Sequence, residues 1–480
     1  MAFLGLVLSA WVGAVYARPV IDVINPATNQ LICQLEEHTA AQITDQVQAA
    51  REAQPAWQHT PLEERAACIR RFAALLAERR EVLARTTSLE TGKPIAQAEG
   101  EIAGLSGRID FFLEHVAAEL ADEQLIAPGP GVTAERIRHE PLGVIANISA
   151  WNYPYFVGGN VFLPALLTGN AVIYKPSELA SMTGLMLGEL LHQAGVPEQA
   201  FQVLIGGSQA GQALIDERLG GVFFTGSNRT GAHIAQLLAP RMVRYALELG
   251  GKDPAYIAED VDVAHAAAAM AEGAFYNTGQ SCCAVERVYV HQAIYADFLQ
   301  AFSGAVRALK LGDPLDPETF IGPLARREPA LAELERQVAE ALELGGRLLT
   351  GGHRAAMPGS YFEPTVIADA PQASLLMQEE SFGPIIGVAS VTGDAEAVQQ
   401  MNDTHYGLTA AVYTTDAARA EALLAQLDVG TGYHNCCDRV SPRLPWSGRR
   451  GSGLGSTLST YGIEAFLRPK ALHLRPASWT

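Results

Sequence analysis

Residues 142–154 read LGVIANISAWNYP, and the stretches that repeat their pattern decide the fold: AVIYKPSE at 171–178, FQVLIGG at 201–207, VFFTGS at 222–227 and YALELGG at 245–251. Each is a short apolar run that stops at a proline, a glycine or a small polar residue. Helical patterns, such as 182–194 and 210–217, lie between most of them. Nearly continuous apolar runs belong to strands covered on both faces. Separated by helices, they predict a mostly parallel sheet in an α/β domain. Open sheets of this kind bind ligands outside the carboxyl ends of their strands. The polar residues gather there, so a ligand crevice is expected beside Trp151-Asn152, residues 175–178, Gly206-Gly207, residues 225–227 and residues 248–251.

Outward from this block, residues 65–89 carry apolar side chains at helical spacing (Ile69, Phe72, Leu75, Leu76, Leu83), and a second helical stretch covers 102–120. Pro128-Gly129-Pro130-Gly131 interrupts the pattern. Downstream, 262–276 reads as an alanine-rich helix that Asp260 or Asp262 can cap, with Gly279 as its stop. Residues 286–291 read as a strand, 295–309 and 329–344 as helices, and 385–391 and 410–413 as strands. A second α/β unit is therefore expected from about residue 250. Residues 465–474 are expected to form a terminal strand, paired with the segment around 132–139.

The chain has 480 residues, 48% of them hydrophobic, which is enough for two or three cores. Its formal net charge of −18 opposes nucleic acid and anionic membrane surfaces as partners. Six cysteines (Cys33, Cys68, Cys282, Cys283, Cys436, Cys437) include two adjacent pairs, a spacing that matches neither a zinc site nor a disulfide framework, so no metal is expected. Such sparse use suggests a reducing compartment. Residues 1–17, MAFLGLVLSAWVGAVYA, resemble a signal peptide core, but no basic residue precedes the apolar run and it is too short to span a bilayer. A cytoplasmic location is the expectation, with export as the alternative.

Several residues can carry chemistry, and each has an ordinary explanation when taken alone. Cys282, at the turn Gly279-Gln280-Ser281-Cys282-Cys283, can be a thiolate nucleophile or a buried inert cysteine. Cys283 is expected to point elsewhere and to be structural. Glu248, before two glycines at a strand end, can be a desolvated base or a solvated acid. Asn152 can donate to an oxyanion or simply occupy a turn before a proline. Lys175-Pro176-Ser177-Glu178 can bind a ribose or start a helix. Gly226-Ser227-x-x-x-Gly231 can seat a pyrophosphate at a helix N-terminus, although it is not the usual G-x-G-x-x-G.

Together, in order and spacing, these motifs resemble the aldehyde dehydrogenase superfamily. The resemblance runs from Asn25-Pro26-Ala27-Thr28 to about Lys470. It also takes in Glu90-Thr91-Gly92-Lys93-Pro94, Glu379-Glu380-Ser381-Phe382-Gly383-Pro384 and Tyr406-Gly407-Leu408-Thr409. It implies a Rossmann-type cofactor domain (18–124 and 142–249), an α/β catalytic domain (250–450) and a β oligomerisation arm (125–141 and 465–480), with residues 1–17 as an extension. It implies Cys282 as nucleophile, Glu248 as the base that activates water, and Asn152 with the Cys282 backbone N–H as the oxyanion hole. Lys175 and Glu178 would hold the adenine ribose, with Ser177 beside them. Gly226, Ser227 and Gly231 would lie by the pyrophosphate. Glu380 and Phe382, with Trp151 and Leu249 nearby, would place the nicotinamide end.

The expected cofactor is NAD, with NADP possible. A carboxylate at Glu178 accepts from a ribose 2′-OH and repels a 2′-phosphate. The expected partner is a small aldehyde, and family members are usually homodimers or homotetramers. Tyr153 and Trp446 are expected in the substrate pocket. Leu444-Pro445-Trp446-Ser447-Gly448 resembles a segment of betaine aldehyde dehydrogenases in which the indole helps bind a trimethylammonium group. Asn160, however, stands where a further aromatic of that box aligns, so a broad range of aldehydes is expected. Two rival functions remain: reduction of an acyl-CoA or acyl phosphate on the same fold, which would not need Glu248, and a non-catalytic binding protein.

Overall fold

The apolar runs quoted above form strands whose side chains alternate between two cores. In a computed structural model describing residues 19–127 and 133–475, Ile145, Val172, Tyr174 and Phe223 join one core with the helices Leu62–Glu78, Ile95–Glu119 and Pro154–Leu167. Val144, Ala146, Ile173, Val222 and Phe224 face the other way, towards the helices Ala40–His59, Ser208–Asp216 and Asn228–Leu238. Successive side chains of a strand point to opposite faces, so covering both faces demands apolar residues throughout. The expectation for residues 1–17 lies outside the described residues.

Val144–Ile148, Ala171–Lys175, Phe201–Val203, Gly221–Thr225 and Arg244–Glu248 are parallel neighbours in a six-stranded sheet. From Val144–Ile148 the chain builds outward to Phe201–Val203, then returns to place Gly221–Thr225 on the opposite side. The strand order thus reverses between Val144–Ile148 and Gly221–Thr225. Gly453–Leu454 closes the far edge antiparallel to Arg244–Glu248, so the chain comes back to this sheet after building the second.

The second sheet has seven strands in the order Arg347–Thr350, Thr365–Ala368, Ile385–Val391, Val285–His291, Asp253–Ile257, Thr409–Tyr413 and Thr431–His434, parallel except for the first. Sequence reading found three of these. Asp253–Ile257 opens with an Asp-Pro pair, which is depleted in strands, yet it sits centrally, with its register shifting beside Pro254. Residues 65–89 divide into two helices at Arg79, where the backbone leaves helical geometry. The terminal strand Leu467–Leu474 pairs antiparallel with Ala134–Pro141, as the sequence predicted, and Glu123–Ile126 completes this three-stranded sheet. Among the described residues no helix is long and apolar enough to cross a membrane.

Candidate active site

The reversal of strand order leaves a crevice at the carboxyl ends of Val144–Ile148 and Gly221–Thr225. The first strand delivers Trp151, half-buried, and Asn152, 3% exposed. Pro154 then opens the helix Pro154–Leu167 at a position where its missing N–H costs nothing. The second strand delivers Gly226 and Ser227. The Ser227 side chain caps the helix Asn228–Leu238 by accepting from Thr230 N at 3.4 Å. Gly231 lies under Leu249: a Cβ at Gly231 would stand 2.4 Å from Leu249 Cδ2. The beginning of this helix therefore borders the crevice with its backbone N–H groups.

Lys175 ends the neighbouring strand and is buried. Among the described residues its ammonium finds only the Pro176 carbonyl, at 3.4 Å, and burial pushes its pKa down against the nearby Glu178 and Glu37 carboxylates. Ser177 accepts from Leu179 N at 3.3 Å and so starts a short turn of helix, while Glu178 is exposed at the rim.

Cys282 reaches this region from far along the chain. The helix Val263–Phe275, capped by Asp262, gives way to three successive left-handed residues, Asn277, Thr278 and Gly279 (φ 53°, 60° and 69°). Helical sequence alone placed the stop at Gly279. Non-glycine residues rarely adopt this conformation, and here it is held by hydrogen bonds. Asn277 Nδ2 donates both to the Asn152 carbonyl (3.1 Å) and to the Gln280 carbonyl (3.0 Å), and Asn277 N donates to Gln97 (2.8 Å). One side chain thus clasps the Asn152 loop to the Cys282 loop. The Asn152 side-chain amide makes no hydrogen bond with protein among the described residues.

Two glycines complete the convergence. A Cβ at Gly251 would lie 2.6 Å from the Cys282 carbonyl oxygen, and one at Gly250 would lie 2.4 Å from Glu380 Oε2. Gly251 N donates to Glu380 Oε1 at 3.1 Å. The strand that ends at Glu248 therefore approaches both the Cys282 loop and Glu380 more closely than any other residue type allows. Phe382, at φ 50°, meets Trp151 edge to face with centroids 5.5 Å apart.

Cys282 is half-buried and Cys283 fully buried. The Cys283 thiol touches the Cys282 thiol and donates to Asp438 Oδ1 at 2.9 Å. That contact, burial and the Asp438 carboxylate together push its pKa well up.

Glu248 is half-buried at its strand end, where it accepts from the Thr457 hydroxyl. Thr457 is paired through two backbone hydrogen bonds with buried Trp446 (2.7 and 2.9 Å). Burial pushes the Glu248 carboxyl up to about 7, against the opposing pull of the Thr457 hydrogen bond and the Arg108 charge. Burial pushes Glu380 up to about 8, helped by Glu286. Tyr153 lies beside Ser281 and under the Lys93 ammonium, which stands 4.0 Å from its ring centroid.

Sequence reading missed Asn277, Thr457, Lys93 and Arg108. Asn277 carries a faint signal, because Asn-Thr-Gly is turn chemistry that tolerates left-handed backbone. Lys93 stands in the motif Glu90-Thr91-Gly92-Lys93-Pro94 without an assigned role, while Thr457 and Arg108 lie on ordinary-looking segments and gain meaning only from what they touch. Among the described residues no three His, Cys, Asp or Glu side chains stand together as a metal site.

A model described as "Aldehyde dehydrogenase family" matches residues 11–472. A betaine aldehyde dehydrogenase of Cereibacter sphaeroides is 36% identical over 468 residues, covering 95% of this chain and 93% of that protein. A succinate-semialdehyde dehydrogenase (NADP+) of Deinococcus radiodurans is 34% identical over 454 residues, covering 94% of each. An NAD-dependent aldehyde dehydrogenase from Sinorhizobium meliloti has the same fold, with a TM-score of 0.92 at 32% identity over 96% of this chain and 93% of that one. On a match that spans nearly its whole length, and on relatives alike from end to end, the chain belongs to the aldehyde dehydrogenase family.

Proposed function

We propose that this enzyme oxidises its aldehyde to the carboxylic acid through a covalent thioester on Cys282, with NAD as the preferred cofactor and NADP as the lesser one. The observation that carries this reading is the convergence at Cys282. Asn277 ties the Asn152 loop to the Cys282 turn, and Gly251 brings the end of the Glu248 strand against the same turn. The Cys282 thiolate adds to the aldehyde carbon. The oxygen becomes an alkoxide, which the free Asn152 amide and the Cys282 N–H stabilise. A bound nicotinamide would supply the acceptor for the hydride that leaves this carbon. The thioester left on Cys282 is then attacked by water, from which Glu248 takes the proton. A base in this position supports hydrolysis rather than transfer of the acyl group to coenzyme A or phosphate.

The crevice suits a dinucleotide. Lys175 has donors to spare, the helix at Ser227 offers N–H groups to a pyrophosphate, and Phe382 with Trp151 makes an aromatic wall. In this reading the six-stranded sheet belongs to the cofactor domain, the seven-stranded sheet to the catalytic domain, and the three-stranded sheet, with exposed Leu125 and Ile126, joins copies into a dimer or tetramer. A panel of aldehydes with NAD and NADP, followed by absorbance, tests the activity. No reduction of either cofactor by any aldehyde would sink it.

Exposed Glu178 supports the preference for NAD. Glu178→Ala is expected to bring the NAD and NADP values of kcat/KM together, by about tenfold, through loss of a ribose acceptor and of a repelling charge. An unchanged ratio removes its assigned role. A pH profile follows from Glu248, whose base form disappears as pH falls through about 7. Where hydrolysis limits turnover, kcat should fall about tenfold per pH unit below neutrality and level off above it. A flat profile across neutrality assigns the base to another group.

A further inference from the structure

Arg108 lies on the helix Ile95–Glu119, 5% exposed, with its guanidinium carbon 3.7 Å from the centroid of the Phe156 ring. Its Nη1 donates to Asn160 Oδ1 at 2.6 Å and to the Phe156 carbonyl at 3.4 Å. Its Nε and Nη2 have no acceptor among the described residues, and none of the described carboxylates lies within ion-pair distance. The neighbouring Glu101 is already engaged, by the Lys93 ammonium and by Tyr155 N (2.8 Å) and Phe156 N (3.1 Å). A nearly buried cation thus has no ion-pair partner among the described residues, an arrangement that costs stability unless a bound group supplies the negative charge.

The location says what that is. Phe156 stacks with Tyr153 (centroids 6.2 Å apart, planes at 20°), and Tyr153 directly follows Asn152 and lies beside Ser281. Burial lowers the Arg108 pKa against the attraction of the Glu101 and Glu248 carboxylates nearby. Asn160, at the position where an aromatic partner for a trimethylammonium group would align, instead holds a guanidinium in place.

We infer that Arg108 is a specificity-determining residue whose free Nε–Nη2 edge grips a carboxylate at the far end of the substrate, so that the enzyme's preferred substrates are aldehydes bearing a terminal carboxylate. Two N–H groups side by side match the two oxygens of a carboxylate, which a single ammonium does not. The inference rests on the catalytic reading of Cys282 and narrows its substrate class.

The test compares kcat/KM for ω-oxo carboxylates of increasing length, n-alkanals of matched length and a trimethylammonio aldehyde. The best oxo acid is expected to exceed its matched alkanal by about a hundredfold, and Arg108→Met is expected to collapse that ratio towards one, the loss appearing mainly in KM. Arg108→Lys should recover only part of it, because the ammonium lacks the paired geometry. Alkanal oxidation without preference for the oxo acid, preference for the cationic aldehyde, or a ratio indifferent to Arg108→Met overturns the inference and leaves the catalytic reading standing. Should Arg108→Met not fold, the unaltered protein still decides the matter through its substrate ratio and through competitive inhibition by an unreactive dicarboxylate of matched length, with the monoamide as control. Binding of that dicarboxylate, read by thermal shift, does not depend on turnover. A protein that binds it through Arg108, the shift being lost in Arg108→Met, and oxidises nothing keeps the carboxylate grip and overturns the catalytic reading with the substrate preference built on it.

Discussion

Cys282→Ala is expected to lower NADH formation by roughly 10⁴-fold or more while NAD still binds. The size of the effect follows from the route. Without the sulfur no thiohemiacetal forms, and the alkoxide whose collapse releases hydride never exists. Its neighbour cannot substitute. Cys283 is buried and donates to Asp438, and although the variant loses the Cys282 contact, burial and the Asp438 carboxylate still push its pKa up, so its thiolate stays scarce. Alanine at 282 removes few contacts, because Cys282 is only half-buried, and the fold should survive. NAD binding by calorimetry and aldehyde-dependent absorbance are the two measurements. Full turnover by the variant would mean that the nucleophile is another group.

Glu248→Gln separates the two halves of the reaction. The amide keeps the size and the contact with Thr457 but cannot take a proton from water. Hydrolysis of the thioester should slow by about 10²–10⁴-fold, on the order of 3–5 kcal/mol of barrier. Hydride release should be much less affected. The expected signature is a burst of about one NADH per site followed by a slow steady state, with an acyl adduct on Cys282 by mass spectrometry. Normal turnover with no adduct would place the base elsewhere. Half-buried Asp438 and Glu380 are two alternatives, since burial pushes the first up to about 6 and the second to about 8.

The strands of the first sheet were legible because covering both faces leaves no room for polar alternation. The runs at 144–148, 171–174 and 222–224 could hardly be anything else. The edges of the second sheet were not. Arg347–Thr350 is only partly buried, and Thr431–His434 includes an exposed glycine, so neither carries an apolar run. The candidate site divides in the same way. Cys282, Glu248 and Asn152 stood out because they follow strands or turns in recognisable motifs. Arg108 did not, because a charged residue on an amphipathic helix normally faces water, and only packing against Pro154–Leu167 turns this one inward.

Local pattern by itself determined the alternation of strands and helices, the glycines that permit close approach, and the kinds of chemistry available, because each depends on neighbours a few residues away. Tertiary structure alone decided that a left-handed asparagine would bind two distant loops together, that a carboxyl would be desolvated to near neutrality, and that a guanidinium would be buried with one edge free. Those outcomes depend on which surfaces lose water against which others, and desolvation is a property of the assembled pocket rather than of any stretch of chain.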